Sequence, residues 1–537
     1  MRPHDMGTLF EDRADQHAAT VTHLDRPFDI APERGVEYDV TGLAELVCDA
    51  SGWLVAAGAR PGDRVAIVKD NHWDYDLLAC AAIRVGALPA LISGHLPPAA
   101  LELLLKRLDP TVLVTTSAIL RAAAESGTDL TGLVRRTISL TPGESDVDGV
   151  IGLAELRGAP VPAPHRRPDD DPLVVTHTSG TTGVPKLVAH STTTIIRRLA
   201  GMESIRWPVL GTRRSDTVAS VSSFAHGRTF CWTASVFCLA PREILIVSDI
   251  GAECPPDVLR VHRPTILEAL PAAFTRWQPA AGEPASPFTD TRMFVSTYDA
   301  VHPPVVRSFL AASRRRFPIW MQGWGQTETG PLSFRFLTRR SVASAAVRHP
   351  TTRDLGRPMP TRTRLAVVDP RTLRPIGRGR PGLVMASTAA RCLDYVGESD
   401  RWAEKAVGRW WNTGDLGVLT RSGRVRLLDR EIDRVPGTSC LELEDVIEDR
   451  LPGVVECVVL GVRGRPPLPV LVTADGRFDG IGGPAWQHAV RDLPELADPV
   501  TLRWQDVPRT GTGKVRRVDL LHAVAGDAET HGTGLWA

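Results

Sequence analysis

Residues 178–186, T-S-G-T-T-G-V-P-K, combine the side chains that a polyphosphate requires. They follow the apolar run 173–175, which predicts a short buried strand. Glycines let a backbone approach an anion closely, consecutive N–H groups form a concave anion site, and hydroxyls add short donors. Lys186 adds positive charge, but the spacing is not the G-x-x-x-x-G-K-[ST] of a Walker A loop. The stretch predicts a phosphate loop of another kind, and a flexible surface loop is the alternative when it is taken alone.

A second segment, residues 322–329, reads Q-G-W-G-Q-T-E-T. Glycines flank Trp324, an aromatic residue that could stack on a base. Thr327 offers a hydroxyl to a phosphate, and Glu328 offers the hard oxygen ligand that Mg²⁺ prefers. Alone, the segment is also compatible with an ordinary glycine-rich turn.

Three further segments could contribute single side chains. Asp415, in the turn W-N-T-G-D, could present a carboxylate to a diol such as ribose. His226 stands between an aromatic residue and a glycine, as a pocket wall or as a structural hydrogen-bonding group. Residues 508–515 form a glycine loop that ends at Lys514, and such a loop can carry an ammonium group into a site. Arg430 is by itself more typical of a surface ion pair.

Lysine is scarce in this chain, with five among 63 basic residues. Arginine is used almost everywhere that bulk positive charge would suffice. A compact ammonium and a planar guanidinium differ in reach and geometry, so a retained lysine is expected to need its ammonium. Lys186 and Lys514 each end one of the loops described above.

Composition limits the classes of function that the chain can have. The chain has 537 residues, 63 basic and 62 acidic, so charge gives no case for nucleic acid or an anionic membrane as the main partner. We expect a large layered domain and at least one smaller one. No secretory signal or membrane-spanning run is evident, and the eight cysteines lack metal-ligand spacing, so we expect a reduced, cytoplasmic protein.

Alternating helical and strand patterns begin near residue 43. Helical spacing over 43–54, 77–85 and 101–105 alternates with strand-like runs at 65–68, 87–92 and 112–114. This order predicts an α/β fold with mainly parallel sheets.

In this order and spacing, the segments resemble the adenylate-forming superfamily of acyl- and aryl-CoA synthetases, peptide-synthetase adenylation domains and luciferases. Residues 178–186 match its S-G-T-T-G-x-P-K loop, and 322–328 resemble its aromatic-Gly-x-T-E motif, with Trp in place of the usual Tyr. Residues 413–415 match its T-G-D, and 508–514 its P-x-T-x-x-G-K motif. The resemblance covers about residues 62–518.

The resemblance implies a large N-terminal adenylation domain, residues 1–430, and a small mobile α/β C-terminal domain, residues 431–537. It implies a carboxylate that attacks ATP to give an acyl-adenylate, with Lys514, Thr327, Glu328 and Lys186 as catalytic residues and Glu328 as the Mg²⁺ ligand. The implied ATP-binding residues are Thr178, Ser179, Gly180, Thr181, Thr182, Gly183, Lys186, Gln322, Gly323, Trp324, Thr327, Asp415, Arg430 and Lys514. The implied substrate pocket comprises His226, Thr297, Tyr298, Asp299 and Trp324.

Two departures from the family pattern bear on the substrate and acceptor. Residues 297–300, T-Y-D-A, stand where the family usually has Gly-Gly-Ala. Bulky residues there should narrow the pocket and place a carboxylate near it, unless Asp299 faces solvent. At the hinge, Ile432 replaces the usual Asp or Lys, and Pro436 lies in a shortened glycine stretch.

The sequence thus predicts an ATP- and Mg²⁺-dependent biosynthetic acid ligase, monomeric or homodimeric, that forms the CoA thioester of an aromatic or short acid. The alternative keeps adenylation but changes the partner. Its acceptor is a carrier protein or an amine, or the activated substrate is an unusual oxyanion such as nitrite. A catalytically inactive nucleotide-binding protein is a third hypothesis, disfavoured by the intact Lys186, Glu328 and Lys514.

Overall fold

The computed structural model describes residues 5–141, 149–178, 184–343, 352–430, 439–462, 465–478 and 483–525, with the backbone alone described at 429 and 430. The strands are β1 Val21–Leu24, β2 Glu37–Tyr38, β3 Arg64–Lys69, β4 Leu88–Ser93, β5 Val112–Thr115, β6 Arg136–Ser139, β7 Val150–Gly152, β8 Pro172–His177, β9 Leu187–Ser191, β10 Thr217–Val221, β11 Glu243–Val247, β12 Ile266–Ala269, β13 Met293–Ser296, β14 Ile319–Gln326, β15 Gly330–Leu337, β16 Arg357–Pro358, β17 Thr363–Val368, β18 Pro381–Thr388, β19 Asp394–Tyr395, β20 Ala406–Val407, β21 Trp410–Leu419, β22 Val425–Arg430, β23 Glu456–Leu460, β24 Leu468–Thr473 and β25 Val500–Arg503.

The helices follow the same order. The α-helices are α1 Leu9–Asp15, α2 Val40–Ala56, α3 Asp74–Arg84, α4 Pro98–Leu108, α5 Ser117–Glu125, α6 Leu153–Leu156, α7 Gly201–Glu203, α8 Gly227–Leu239, α9 Asp257–His262, α10 Pro271–Arg276, α11 Gln278–Ala281, α12 Pro303–Ala312, α13 Ser399–Lys405, α14 Cys440–Arg450, α15 Pro484–Val490 and α16 Arg517–Ala525. A π-helix, Thr192–Ala200, leads directly into α7. Within the described residues, no helix is long and apolar enough to cross a membrane.

Two large sheets dominate the first 430 residues. One has the order β16-β15-β14-β13-β12-β10-β11-β1-β2, and the other β19-β9-β8-β4-β3-β5-β6-β7. The central pairs of both sheets are parallel, and antiparallel pairs lie towards the edges. A smaller antiparallel sheet contains β17, β18, β20, β21 and β22. The predicted α/β class with mainly parallel sheets is confirmed.

Helices fill three layers around the two large sheets. The largest apolar core joins α2, α3 and α8 to the inner faces of both sheets. Alternation along each strand decides which layer a side chain enters: Ile244 belongs to this inner core, whereas Leu245 packs on the outer face with α10 and α12. On the outer face of the other sheet, α4 and α5 pack against β3 and β5.

Local signals explain the element ends. Asp39 caps α2 by accepting a hydrogen bond from the Gly42 amide at 2.7 Å, and the chain leaves that helix at Gly58, whose φ is +100°. The strands and helices predicted between residues 43 and 114 all form, with ends shifted by a few residues.

Residues 439–525 build a separate three-stranded sheet, β23-β24-β25, flanked by α14, α15 and α16. The predicted division after residue 430 stays a prediction. The hinge residues Ile432 and Pro436 lie outside the described residues.

Candidate active site

A cavity of about 1480 Å³ is lined by residues that follow the carboxyl ends of strands in both large sheets. Thr178 follows β8, His226 follows β10, Thr297 follows β13 and Thr327 follows β14. In α/β sheets, ligands bind at this edge, because loops diverge there. The predicted residues that line the cavity are Thr178, Lys186, His226, Thr297, Tyr298, Gly323, Thr327, Glu328, Asp415 and Lys514.

Three of the five lysines, Lys186, Lys405 and Lys514, meet at this cavity. Arg107 and Arg401 also line it. Burial lowers the pKa of Lys186, and the positive charge of Lys405 lowers it further. Because cations have been gathered here at an electrostatic cost, the cavity suits a highly charged anion.

Glu328 is buried, and its Oε1 accepts a 2.5 Å hydrogen bond from the hydroxyl of Tyr395. The ammonium of Lys186 lies 5.2 Å from the centre of the same tyrosine ring. His190 braces the neighbouring loop through a 2.8 Å contact between its Nε2 and the carbonyl oxygen of Thr327. Tyr395 therefore fixes the carboxylate of Glu328, and His190 fixes the backbone of the neighbouring Thr327.

Lys514 reaches the cavity from residues 508–514, which pack against the larger part of the chain. A Cβ at Gly511 would lie 3.1 Å from Oγ of Ser93, and one at Gly513 would lie 2.8 Å from Cβ of Ala272. Gly513 also has φ of +77°. Glycine is thus required at Gly513 for both conformation and close approach.

His226 precedes α8, and its ring centre lies 5.0 Å from that of His177. Burial lowers the pKa of His226 well below its usual range, and His177 and Lys514 lower it further. All three effects favour the neutral form of the imidazole. His177 is fixed by a 2.8 Å contact from Nδ1 to the carbonyl oxygen of Thr178 and by a hydrogen bond from the Ser93 amide to Nε2.

A cluster of charges, half-buried Arg228 and Glu203 with buried Glu268, forms another wall of the cavity. Arg228 donates from Nη1 to Glu203 at 2.6 Å and from Nη2 to Glu268 at 2.7 Å. Burial alone would lower the pKa of Arg228, but the two carboxylates raise it well above its usual range. One guanidinium and two carboxylates leave this charged cluster with an excess of one negative charge.

Tyr298 and Thr297 carry buried hydroxyl oxygens on the same cavity, and neither oxygen has a hydrogen-bond partner among the described residues. Tyr298 also has φ of +77°, a conformation that costs a non-glycine residue about 1–2 kcal/mol. Its ring lies 5.7 Å from that of His226, centre to centre. A strained residue in a cavity wall, with a buried hydroxyl that has no partner among the described residues, indicates a ligand-binding role.

Two residues predicted for the pocket do not line the cavity. Asp299 is exposed, and its Oδ1 accepts the amide hydrogen of Ala300, so its carboxylate turns to solvent. Trp324 is also absent from the lining, whereas Gly323 and Gly325 are present. The alternation of β14 explains this difference, because successive side chains point to opposite faces of a strand.

Asp415 is buried, with Oδ2 3.4 Å from Nε2 of Gln326, which also donates to the carbonyl oxygen of Thr413 at 2.5 Å. Arg430 pairs with Asp415 in the β21–β22 ladder, and its side chain lies outside the described part of the chain. Gln322 is buried, and its Oε1 has no hydrogen-bond partner among the described residues. Residues 179–183, predicted to bind phosphate, also lie outside the described ranges.

Sequence reasoning missed the cluster of Arg228, Glu203 and Glu268, as well as Lys405 and Tyr395. The scarcity of lysine was the available signal for Lys405. The charged cluster had no local signal, since its members lie on α8, α7 and β12.

Comparison with known proteins decides the family. The family model described as AMP-binding enzyme matches residues 10–395. A 3-amino-2-hydroxy-4-methoxybenzoate diazotase from Streptomyces cremeus is 35% identical, over 97% of this chain and 96% of its own length. The chain belongs to the AMP-binding enzyme family.

Other members of the family are more distant. A 4-hydroxybenzoate–CoA/benzoate–CoA ligase from Rhodopseudomonas palustris is 26% identical, over 93% of this chain and 91% of its own. The solved benzoate CoA ligase from Burkholderia xenovorans LB400 has a TM-score of 0.75 at 19% identity, covering 96% of this chain and 99% of its own. As a member of this adenylate-forming family, the chain is an ATP-dependent, AMP-forming ligase with the family's two-domain fold.

Proposed function

We propose that this AMP-binding enzyme activates nitrite with ATP and transfers its nitrogen to an aromatic amine, so that the product is a diazonium compound. A nitrite oxygen attacks the α-phosphorus of ATP, and pyrophosphate leaves. The amine nitrogen then attacks the nitrosyl nitrogen, an N–N bond forms, and AMP leaves. Loss of water from the protonated nitrosamine gives the diazonium group. The nitrite nitrogen is reduced and the amine nitrogen is oxidised by the same amount, so the step needs no external oxidant or reductant.

The observation that carries this proposal is the charged cluster of Arg228, Glu203 and Glu268 in the cavity wall. Each of the four carboxylate oxygens accepts a hydrogen bond from the guanidinium, and each has a further lone pair with which it can accept a second one from a ligand. Such oxygens accept hydrogen bonds from amino or hydroxyl groups on a ring. A hydrocarbon chain would cover these charged groups without offering them a hydrogen bond, which makes it a poorer match for this wall.

The comparisons support the same choice. The 35% identical diazotase acts on an aromatic ring with amino and hydroxyl groups, and the match runs through both chains nearly end to end. Diazotisation of a primary amine needs nitrogen at the oxidation level of nitrite, and an enzyme that adenylates oxyanions can supply it in activated form.

The cavity residues suit these steps. Lys186 and Lys405 would bind the triphosphate and the departing pyrophosphate, and Lys514 would neutralise charge at the α-phosphate and the attacking oxyanion. Asp415 would accept hydrogen bonds from the ribose hydroxyls. The neutral His226 and the Tyr298 hydroxyl would contact the aromatic substrate.

Glu328 fits a magnesium ion by the chemistry of its donor: a buried carboxylate at the cavity, with Tyr395 holding one oxygen. When bound, the ion would neutralise phosphate charge. The protein's part is to hold this carboxylate in its orientation through the Tyr395 hydroxyl.

An aryl-CoA ligase is the second candidate function. The cavity and Lys514 would serve a benzoate-type acid equally well in the adenylation step, and the family includes benzoate–CoA ligases that match nearly the whole chain. The two functions differ in the oxyanion that is activated and in the final acceptor.

An assay of pyrophosphate release distinguishes the two candidate functions. The enzyme, ATP and Mg²⁺ are combined with nitrite or with a panel of benzoates, each with and without CoA and with and without an aminohydroxybenzoate. Nitrite-dependent release that is indifferent to CoA supports the proposal. Release that needs a benzoate carboxylate, with a thioester formed only when CoA is present, establishes the second candidate instead.

A further inference from the structure

His23, Glu243 and His262 form a cluster outside the active-site cavity, and none of the three lines that cavity. His23 lies on β1, Glu243 begins β11, and His262 ends α9. Each is half-buried, and one ligand atom from each lies within 4.8 Å of the other two. The two imidazole rings are stacked, with centres 3.8 Å apart and planes inclined by 28°.

We propose that this cluster binds a divalent transition-metal ion, with zinc as the best match. Two imidazole nitrogens and one carboxylate oxygen are the ligand types of zinc sites, whereas Mg²⁺ and Ca²⁺ favour sets made only of oxygen. Tetrahedral bonds of about 2.0–2.1 Å place ligand atoms about 3.4 Å apart. The three ligand atoms lie within 4.8 Å of one another and would move closer together when the ion binds.

The surroundings of the ligands resemble the outer shell of a metal site. Thr217 donates a 2.7 Å hydrogen bond to Oε2 of Glu243, which orients the carboxylate. Glu37 lies directly opposite His23 in the β1–β2 ladder, and its Oε2 is 3.4 Å from Nδ1 of that histidine. A carboxylate beside a ligating imidazole fixes the ring and strengthens it as a ligand. Water would supply the fourth position.

The metal would tie the first strand of the chain to the nine-stranded sheet. β1 is held by a four-residue parallel ladder to β11 and a two-residue ladder to β2. An ion at this cluster would add a cross-link from residue 23 to residues 243 and 262. Its role is therefore structural, and it is independent of the reaction in the cavity.

Zinc binding by the full-length protein tests the site. Chelator-treated protein is titrated with Zn²⁺ against a chromogenic competitor, in a Cys254→Ser background because Cys254 is the exposed thiol among the described residues. We expect the Cys254→Ser protein to bind one more equivalent of Zn²⁺ per chain than the same protein with the double substitution His23→Asn/His262→Asn. The milder Glu243→Gln should weaken binding by about tenfold or more. His488→Asn, at an exposed histidine outside the cluster, is the matched control and should bind normally.

Two further measurements keep the test decisive. Co²⁺ should give tetrahedral d–d absorption without sulfur-to-metal charge transfer, and the bands should disappear in the double variant. Zn²⁺ should raise the melting temperature of the control and leave that of the double variant unchanged. Equal zinc stoichiometry and affinity in the control and in a folded double variant, or in the control and Glu243→Gln, would overturn the proposal.

Discussion

At the scale of single residues, four of the five lysines lie among other charged groups. Lys186, Lys405 and Lys514 line the cavity, and Lys69 is buried between Asp29 at 2.5 Å and Asp74 at 2.8 Å. Lys106 instead forms an exposed ion pair with Glu102. That the lysines at the cavity need an ammonium rather than a guanidinium stays a prediction.

Replacement of Lys514 tests its proposed role in adenylation. In Lys514→Ala, the loss of a positioned charge at the reacting phosphate should lower the rate of pyrophosphate release by about 10²–10³-fold. Lys106→Ala removes a lysine from the surface and should leave the rate unchanged. A Lys514→Ala enzyme as fast as wild type would remove this residue from the reaction.

Tyr298→Phe should separate function from stability. The buried hydroxyl has no hydrogen-bond partner among the described residues, so its removal should raise the stability of the free enzyme by up to about 1 kcal/mol. If the hydroxyl contacts the aromatic substrate, KM for that substrate should rise about fivefold, while kcat changes less. Melting temperature and steady-state kinetics measure the two effects. A less stable variant with an unchanged KM would mean that the hydroxyl is satisfied within the protein.

Glu268→Gln tests recognition of the aromatic amine. The change keeps the shape of the side chain, leaves Arg228 paired with Glu203, and removes the excess negative charge of the cluster. KM for the amine should rise about tenfold, equivalent to about 1.4 kcal/mol. Glu283→Gln, in the exposed Arg260–Glu283 pair, is the matched control. An unchanged KM for the amine would show that the charged cluster does not contact it.

Residue-level prediction failed where neighbours come from distant parts of the chain. The sequence left open whether Asp299 faces the pocket or solvent, and its exposure follows from the turn after β13. Arg228 lies 25 residues after Glu203 and 40 residues before Glu268, so no local pattern marks them as partners.

At the scale of elements, periodicity and turn residues predicted the alternating helices and strands between residues 43 and 114 and the strand before the phosphate loop. The phosphate loop was expected after a buried strand, and it indeed connects β8 to β9, which pair antiparallel with His177 opposite Leu187. The strand character of 319–326 was not predicted, and this omission affected Trp324. A residue in a turn can point towards either side, whereas β14 directs alternate side chains to opposite faces.

At the scale of the whole molecule, a buried ionic contact joins residues 439–525 to the rest of the chain. His302, which precedes α12, contacts Asp445 through Nδ1 at 2.7 Å and Glu448 through Nε2 at 3.3 Å. Thr352 also hydrogen-bonds to Asp445, and Arg307 pairs with Asp449. Because α14 is fixed in this way, the sheet that it covers presents Lys514 to the cavity.

This contact predicts a pH dependence of stability. Burial alone would lower the pKa of His302, but Glu448 and Asp445 outweigh it and raise the pKa to about 10. Burial raises the pKa of Glu448 to about 8. Both groups bind protons more tightly when folded, so their contribution is complete at low pH and is lost as pH rises towards 8 and 10.

Urea unfolding between pH 6.5 and 10 measures this dependence. Wild-type stability should fall across the range. His302→Gln should cost about 3–5 kcal/mol at pH 6.5, since it removes the partner of the buried Asp445 carboxyl, and should flatten the profile above pH 8. His488→Gln, at an exposed position, should behave as wild type. A variant with the wild-type slope would mean that His302 does not govern the pH dependence.

The most direct test of the central claim is the fate of the nitrite nitrogen. The enzyme is incubated with ATP, Mg²⁺, ¹⁵N-nitrite and an aminohydroxybenzoate without CoA, and the products are trapped by azo coupling and analysed by mass spectrometry. We predict one ¹⁵N atom in the coupled product, formed with stoichiometric AMP and abolished in Lys514→Ala. A product without ¹⁵N, or AMP formation that requires CoA and a benzoate carboxylate instead of nitrite, would contradict the account.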